Sequence, residues 1–425
     1  MSDSRKSKIL RLLCSSGMVF TNFLTTLYIA RSLGFNEQLD VYYLTLAMYF
    51  YLMTAIGWAL SNVLTPVFIK HEDKYTLGSV LATISLMLSP LILIIISLKG
   101  NIISVVYTNY IDDFSNSDLE VYFFLAIIMF IIDLISTVLI SFENAKSRFN
   151  IPIFINFLAS LLGLMSAYFY VKYYGVLGAI LSQVTIKTTV VLILSFLNYQ
   201  EFKETSININ IAKDLFRKTK YFIFSGVYFR TDDLLEKYIA SYFNTGQLSL
   251  VSFIQRIYGA IITVVNTVII TPTLTKFCKN KNNYESMELI KKLSLLILSL
   301  GILGYIVTHF LGVMVIKFLF PEQISILEEY LHITLVLLYP TCVFLVLSQL
   351  IHNYLLSLEL EKNISYFDIF SFTISAALKI VLTIQYGYVG FLLGIMGTSI
   401  ATLCFKTYLL LYSRKFIIKE GCNVK

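Results

Sequence analysis

The chain has 425 residues, a formal charge of +7, 57% hydrophobic residues and only 14% charged ones. Soluble globular chains carry roughly 45 to 50% apolar and roughly 25% charged residues, so an ordinary water-soluble fold is excluded and a lipid bilayer is the solvent this composition fits. The positive balance is therefore judged by where the basic residues lie along the chain, not taken as a sign of nucleic acid.

Apolar runs of about 20 residues, the length of one bilayer crossing, fall near residues 9–33, 39–69, 76–98, 121–142, 152–170 and 175–198. A polar stretch from Tyr199 to Lys220 follows. A second set then lies near 221–243, 248–275, 289–310, 328–356, 364–385 and 388–412. The pattern predicts an all-α polytopic membrane protein of about 12 transmembrane helices. They divide into two six-helix bundles, residues 1–205 and 206–425. Tyr42, Tyr43, Tyr173 and Tyr174 sit near segment ends, where an amphipathic ring suits the headgroup layer. The first apolar run follows the basic stretch Met1 to Lys8 and shows no small-residue cleavage pattern, so it is expected to stay as a helix.

Basic residues fall in alternate loops. Arg5, Lys6, Lys8 and Arg11, then Lys70 and Lys74, Lys146 and Arg148, Lys213, Arg217, Lys218 and Lys220, and finally Arg414 and Lys415 share one side. The opposite loops hold Arg31, Lys99, Lys172 and Lys317. This bias predicts both termini in the cytoplasm and an even number of spans in the inner (cytoplasmic) membrane. The loops are short, the longest being about 20 residues, which leaves no room for a soluble catalytic domain; no enzymatic activity is expected. Cys14, Cys278, Cys342, Cys404 and Cys422 lack metal-ligand spacing, and His71, His309, His332 and His352 form no pair at helical spacing. No disulfide framework, metal or cofactor is expected.

The halves resemble each other. Tyr28-Ile29-Ala30, Gln38-Leu39 and Thr65-Pro66 recur as Tyr238-Ile239-Ala240, Gln247-Leu248 and Thr271-Pro272, with a spacing that differs by four residues. Tyr174-Gly175-Val176-Leu177-Gly178 recurs as Tyr386-Gly387-Tyr388-Val389-Gly390 before the last helix of each half. Six helices per copy means that both copies enter from the same side, as parallel repeats about a pseudo-two-fold axis along the membrane normal.

Inside the spans lie Lys187, Arg230, Lys237, Arg256, Lys379 and Lys406, with Asp133, Asp232, Asp233, Glu236 and Asp368. A charge facing lipid costs at least a few kcal/mol, so such groups face a wet cavity or a partner. On the seventh helix Arg230, Asp233 and Lys237 fall on one face, with Asp232 and Glu236 beside it. That is either a cavity wall that draws an anionic substrate or an internally paired stripe. Arg256 lies in the eighth helix, where a guanidinium fork suits a diphosphate; a pair with Asp232 or Asp233 is the alternative. Lys187 and Asp133 are expected to pair or to line the first half's cavity, and Lys379 to face the second half's. The carboxylates Asp133, Asp232, Asp233 and Glu236 are candidates for ion coupling or charge pairing. Lys406 is expected to snorkel to the headgroups, and Arg31 and Asp40 to flank the first outer loop, in an exposed role, a local ion pair or contact with substrate. Pro66 and Pro272 are expected to end or bend the second helix of each half, and Pro152 to start the fifth as its first residue.

The stretch Ala30 to Phe68, with Leu33-Gly34, Asp40-Val41-Tyr42-Tyr43 and Thr65-Pro66-Val67-Phe68, resembles the start of polysaccharide and lipid II flippases. Asp232 to Phe277, with Arg256-Ile257-Tyr258-Gly259, and Ser147 to Pro152 resemble the same group. The resemblance implies the multidrug, oligosaccharidyl-lipid and polysaccharide exporter superfamily, with two six-helix bundles that alternate access, and it matches Arg256 to a cavity arginine. The lipid II flippases usually carry several arginines along the second helix and commonly have fourteen spans; this chain has neither, which favours the O-antigen and capsule type. The implied cargo is an undecaprenyl-diphosphate-linked oligosaccharide, held by Arg230, Lys237 and Arg256 with Lys187 and Lys379 as weaker candidates. A polysaccharide polymerase and chain-length machinery would be the implied partners besides membrane lipids, with no nucleic acid. A lipid II flippase and a cation-coupled drug or metabolite antiporter of the same fold are the alternatives.

Overall fold

The computed structural model describes residues 5–70, 76–146, 148–202, 212–213, 215–216, 231–270, 273, 277, 283–320, 328–358 and 360–421. Among them no strand occurs, so the chain is the all-α polytopic protein expected. It forms two compact units, Met1–Ser249 and Leu250–Lys425.

In the first unit, α1 (Arg5–Leu33) stops at Gly34, whose φ of 78° turns the chain while its N–H donates to Ala30 O at 3.0 Å. Asn36 then serves both neighbouring helices. Its side-chain Nδ2 donates to Leu33 O at 2.9 Å, and its Oδ1 accepts from Gln38 N at 3.0 Å and Leu39 N at 3.4 Å, capping α2 (Glu37–Leu52). Such a cap satisfies amides that the first helical turn leaves without intrahelical partners. A π-turn at Met53–Gly57 joins α2 to α3 (Trp58–Lys70), and together they supply one apolar span. Pro66 lies within α3, which runs on to Lys70; Pro272, its counterpart, lies outside the described residues. Next come α4 (Leu77–Ser97), the short α5 (Lys99–Val106) and α6 (Asn116–Ala145). Thr76 and Ser115 cap α4 and α6 through their hydroxyls, at 3.3 Å to Ser79 N and 3.2 Å to Asp118 N. α1 and α6 both pack along α7 (Asn150–Leu197), and α3 packs on α6. Pro152 is the third residue of α7 rather than its first, still within the turn that needs no amide donor.

In the second unit, α8 (Gln247–Val265), whose first residues belong to the first unit, runs into a π-turn at Asn266–Ile270. α9 (Asn283–Val307) continues through a third π-turn, Thr308–Gly312, into α10 (Val313–Leu319). α11 (Glu328–Ser357) packs against both α9 and α12 (Glu361–Gly421). The Cβ-free surfaces of Gly301 and Gly304 let Val343 and Tyr339 of α11 come close to α9.

Among the described residues, eight helices are long and apolar enough to cross a membrane. Two of these, α7 and α12, are double: each changes direction at a glycine, Gly175 (φ 53°, ψ −124°) or Gly387 (φ 57°, ψ −134°). Those values belong to the first central position of a II′ turn, which L side chains avoid. With these doublings, the helical residues 231–240 and α8, the spans agree with the two sets of six read from the sequence. The repeated Tyr-Gly-x-x-Gly motif now has a cause in each copy. Its first glycine makes the bend. Its second, Gly178 or Gly390, lies so close to the preceding helix that a Cβ would overlap Tyr170 O or Leu382 O, eight residues earlier in both cases. Gly34 and Gly246 (φ 85°) likewise mark the turn between first and second helices of each half.

The outer surfaces agree with a lipid solvent. Along the span Glu285–Leu319 only 11% of the apolar window is buried in the protein, and Leu295, Phe310, Met314 and Phe318 point outward. Contiguous apolar exposure of this extent belongs against acyl chains.

Candidate functional site

The first unit holds a polar cluster between α2, α6 and α7. Asp133 Oδ2 accepts the Tyr49 hydroxyl at 2.5 Å and the Lys187 Nζ at 3.0 Å. The Lys187 ammonium also lies 5.9 Å from the centre of the Tyr49 ring. Both donors converge on one carboxylate oxygen, and the side chains retain 13% exposure at Asp133 and 31% at Lys187. Of the two roles open to Asp133 and Lys187 in the sequence, this conformation shows the pair. Tyr49 was invisible as a third member: its hydroxyl becomes a partner only because α2 lies on α6.

Nearer the first turns of α2, Asp40 is fully buried and gathers three donors. The Tyr110 hydroxyl donates to Oδ2 at 3.1 Å, Gly246 N to the same oxygen at 2.8 Å and Ser249 N to Oδ1 at 2.7 Å. Asp40 thus caps the start of α8 from more than two hundred residues away, with its negative charge at the positive end of that helix. Burial, and then the Asp40 charge, push the Tyr110 phenol above its usual range, so it remains a donor. Asn109 Nδ2, donating to Ser241 O at 2.6 Å, ties the same turn. Neither an exposed role nor a local ion pair nor a substrate contact describes Asp40 in this structure: the backbone amides of 246 and 249 enclose it, contacts that no local sequence spacing announces. Asp40→Ala is expected to lower unfolding free energy by about 3 kcal/mol, because three buried donors lose their acceptor. Asp40→Asn, which keeps one oxygen, should lose less. Thermal unfolding of the purified protein in detergent measures both, and equal midpoints for wild type and Asp40→Ala would refute the capping role.

Of the charged stripe on the seventh helix, Arg230 lies outside the described residues. Along residues 231–240, Asp232 and Lys237 are half-buried, Asp233 is exposed and Glu236 is buried at 8%. Arg256 is half-buried midway along α8, next to a half-buried Gln255 and after a first half of the helix that is almost wholly buried.

Among the described residues, the second unit buries two cations. Lys379 is 0% exposed, with Gly394 against its backbone and stem, so in this conformation it is enclosed by protein and does not line an open surface. Lys406 is also buried, at 8%, and its charge acts on Asp368 and His352. This corrects the expected snorkelling. Lys406 is enclosed in the bundle, where the charge of Asp368 offers it compensation.

Two paired contacts of equal sequence spacing fix the end of α7: Asn198 Nδ2 donates to the buried Glu143 Oε1 at 2.7 Å, and Lys146 bonds Glu201 at 2.6 Å. Among the described residues no group of three or more metal-ligating side chains gathers.

In fold, these helices are similar to those of solved membrane transporters. The lipid II flippase MurJ in an inward closed conformation matches with a TM-score of 0.77 at 15% identity, covering 95% of this chain and 87% of that one. An inward-facing multidrug resistance MATE family transporter matches with a TM-score of 0.72 at 15% identity, covering 98% and 99%. The Vibrio cholerae MATE transporter VcmN in its bent form matches with a TM-score of 0.59 at 14% identity, covering 98% of each chain. No family model and no curated protein sequence matches the chain.

Proposed function

We propose that the chain is an alternating-access flippase that moves an undecaprenyl-diphosphate-linked oligosaccharide, an O-antigen or capsule repeat unit, across the cytoplasmic membrane. The head passes through a cationic cavity while the polyprenyl tail stays in lipid, and no covalent bond changes. The observation that carries this reading is Arg256, a half-buried guanidinium in the middle of an apolar helix. A diphosphate cannot cross bare hydrocarbon without such compensation. Arg230 and Lys237 would add charge to it. Lys187 and Lys379 remain weaker candidates, the one held by Asp133 and the other enclosed.

The likeness to a lipid II flippase supports a lipid-linked cargo, and the likeness to MATE transporters supports an antiporter of the same fold. The run Val41–Ile69, free of charged residues, favours a head whose negative charge is confined to the diphosphate. Asp133, Asp232, Asp233 and Glu236 would serve cation coupling or hold the cations in place, and the membrane potential offers about 2.3 kcal/mol per charge per 100 mV. Both termini lie in the cytoplasm in this scheme, and a polysaccharide polymerase and chain-length machinery at the opposite face would take the product.

The test is translocation in proteoliposomes of three cargoes: an undecaprenyl-diphosphate oligosaccharide, lipid II and a cationic dye. Fast transport of the first is expected. Preference for lipid II would move the chain to that subtype, and transport of the dye alone would make it an antiporter.

A further inference from the structure

In the second unit the structure brings together two histidines that are far apart in sequence. His309 sits in the π-turn Thr308–Gly312, and His332 lies one turn into α11. Their ring centres are 5.0 Å apart with the planes at 63°, and both side chains are exposed. A π-turn inserts one residue into a helix and re-aims the side chains around it, which is why such turns collect at functional sites. Here it turns His309 toward α11.

We propose that His309 and His332 form a binding site for a divalent transition-metal ion of the zinc, nickel and copper class. Metal to imidazole nitrogen is about 2.1 Å, and the ring centre lies about 1 Å further back. Two imidazoles on one tetrahedral ion therefore have centres roughly 5 Å apart, the separation found between these two rings. Imidazole is the ligand type these ions favour over the magnesium and calcium class. With two protein nitrogens in place, water fills the remaining positions.

The pair lies toward the charged end of its helices, where Lys317 and Glu328 meet. His332 lies about 6 Å along its helix from Glu328, and His309 about 12 Å along its own from Lys317. Lys317 and Glu328 are themselves paired at the joint end of α10 and α11. Tyr305 stacks on His309 at 6.3 Å between ring centres, and Phe310 lies edge-on to it at 5.0 Å. A bound ion would tie the π-turn to α11. The site rests on neither the cargo nor the cationic cavity.

The test uses the purified full chain, with any purification tag removed, and Cu2+ and Ni2+ as probes. Electron paramagnetic resonance of bound Cu2+ should show two equatorial imidazole nitrogens in the wild type and one in His309→Gln or His332→Gln. Calorimetry should show one Ni2+ per chain, bound at least about tenfold more weakly in either variant and unchanged in His352→Gln. Both histidines are exposed, so the substitutions spare the fold. A wild-type chain that shows no two-nitrogen copper signal, or variants that keep it, would overturn the assignment.

Discussion

Gly178→Ala is expected to prevent recovery of the folded chain, whereas Gly175→Ala should leave a weakened but folded protein. The two glycines stand three residues apart in one motif, yet they are glycine for different reasons. At Gly175 the φ of 53° penalises any side chain, but a Cβ would meet nothing within 4 Å. The cost is conformational, about 1 to 3 kcal/mol. At Gly178 the dihedrals are ordinary, and a Cβ would collide with Tyr170 O and with the backbone of Val171. Backbone cannot swing aside as a flexible side chain can, so the two halves of α7 must separate, at a cost on the order of 4 kcal/mol or more. Gly390→Ala should behave like Gly178→Ala, because Leu382 O occupies the same place in the second copy. Yield of monodisperse protein after detergent extraction, with thermal midpoints for whatever is recovered, ranks the variants. If Gly178→Ala were as stable as Gly175→Ala, close approach would not be what the second glycine provides.

Arg256→Ala is expected to reduce translocation of an undecaprenyl-diphosphate oligosaccharide by at least about 100-fold with the protein still present in the membrane. Two charge-assisted hydrogen bonds from one guanidinium, at about 1.5 kcal/mol or more each, account for that factor. Arg256→Lys keeps the charge and loses the fork, so a reduction of about tenfold is expected. Thermal midpoints taken alongside separate a binding role from a structural one, since a structural arginine would lose stability and rate together. Flipping at the wild-type rate by the alanine variant would remove Arg256 from the mechanism.

The helices were legible in the sequence because each is a long apolar run in a chain that has to satisfy its backbone within lipid. The repeat was legible because two glycines and a tyrosine recur in order at the bend of α7 and of α12. The candidate site was legible only in part. Asp133 and Lys187 stood out as charges in apolar runs, but Tyr49, which completes their cluster, looked like any interfacial tyrosine. Asp40 was misjudged because its partners are backbone amides at 246 and 249, which carry no side-chain signal. Lys406 was misjudged because distance from the helix end is a one-dimensional quantity, and the Asp368 whose charge compensates it lies on the other limb of α12.

From the glutamine at the start of the second helix to its threonine marker, the two copies differ by three residues, 27 against 24. Three residues of α-helix rotate about 300°, so the longer copy gains about 4.5 Å and faces about 60° from its original direction. Nearly a whole turn can thus be added or lost while a lipid-facing side chain stays on the outer side. One residue more would swing everything beyond it by about 100°, and a π-turn such as Met53–Gly57 or Asn266–Ile270 is the place where a helix absorbs that single surplus.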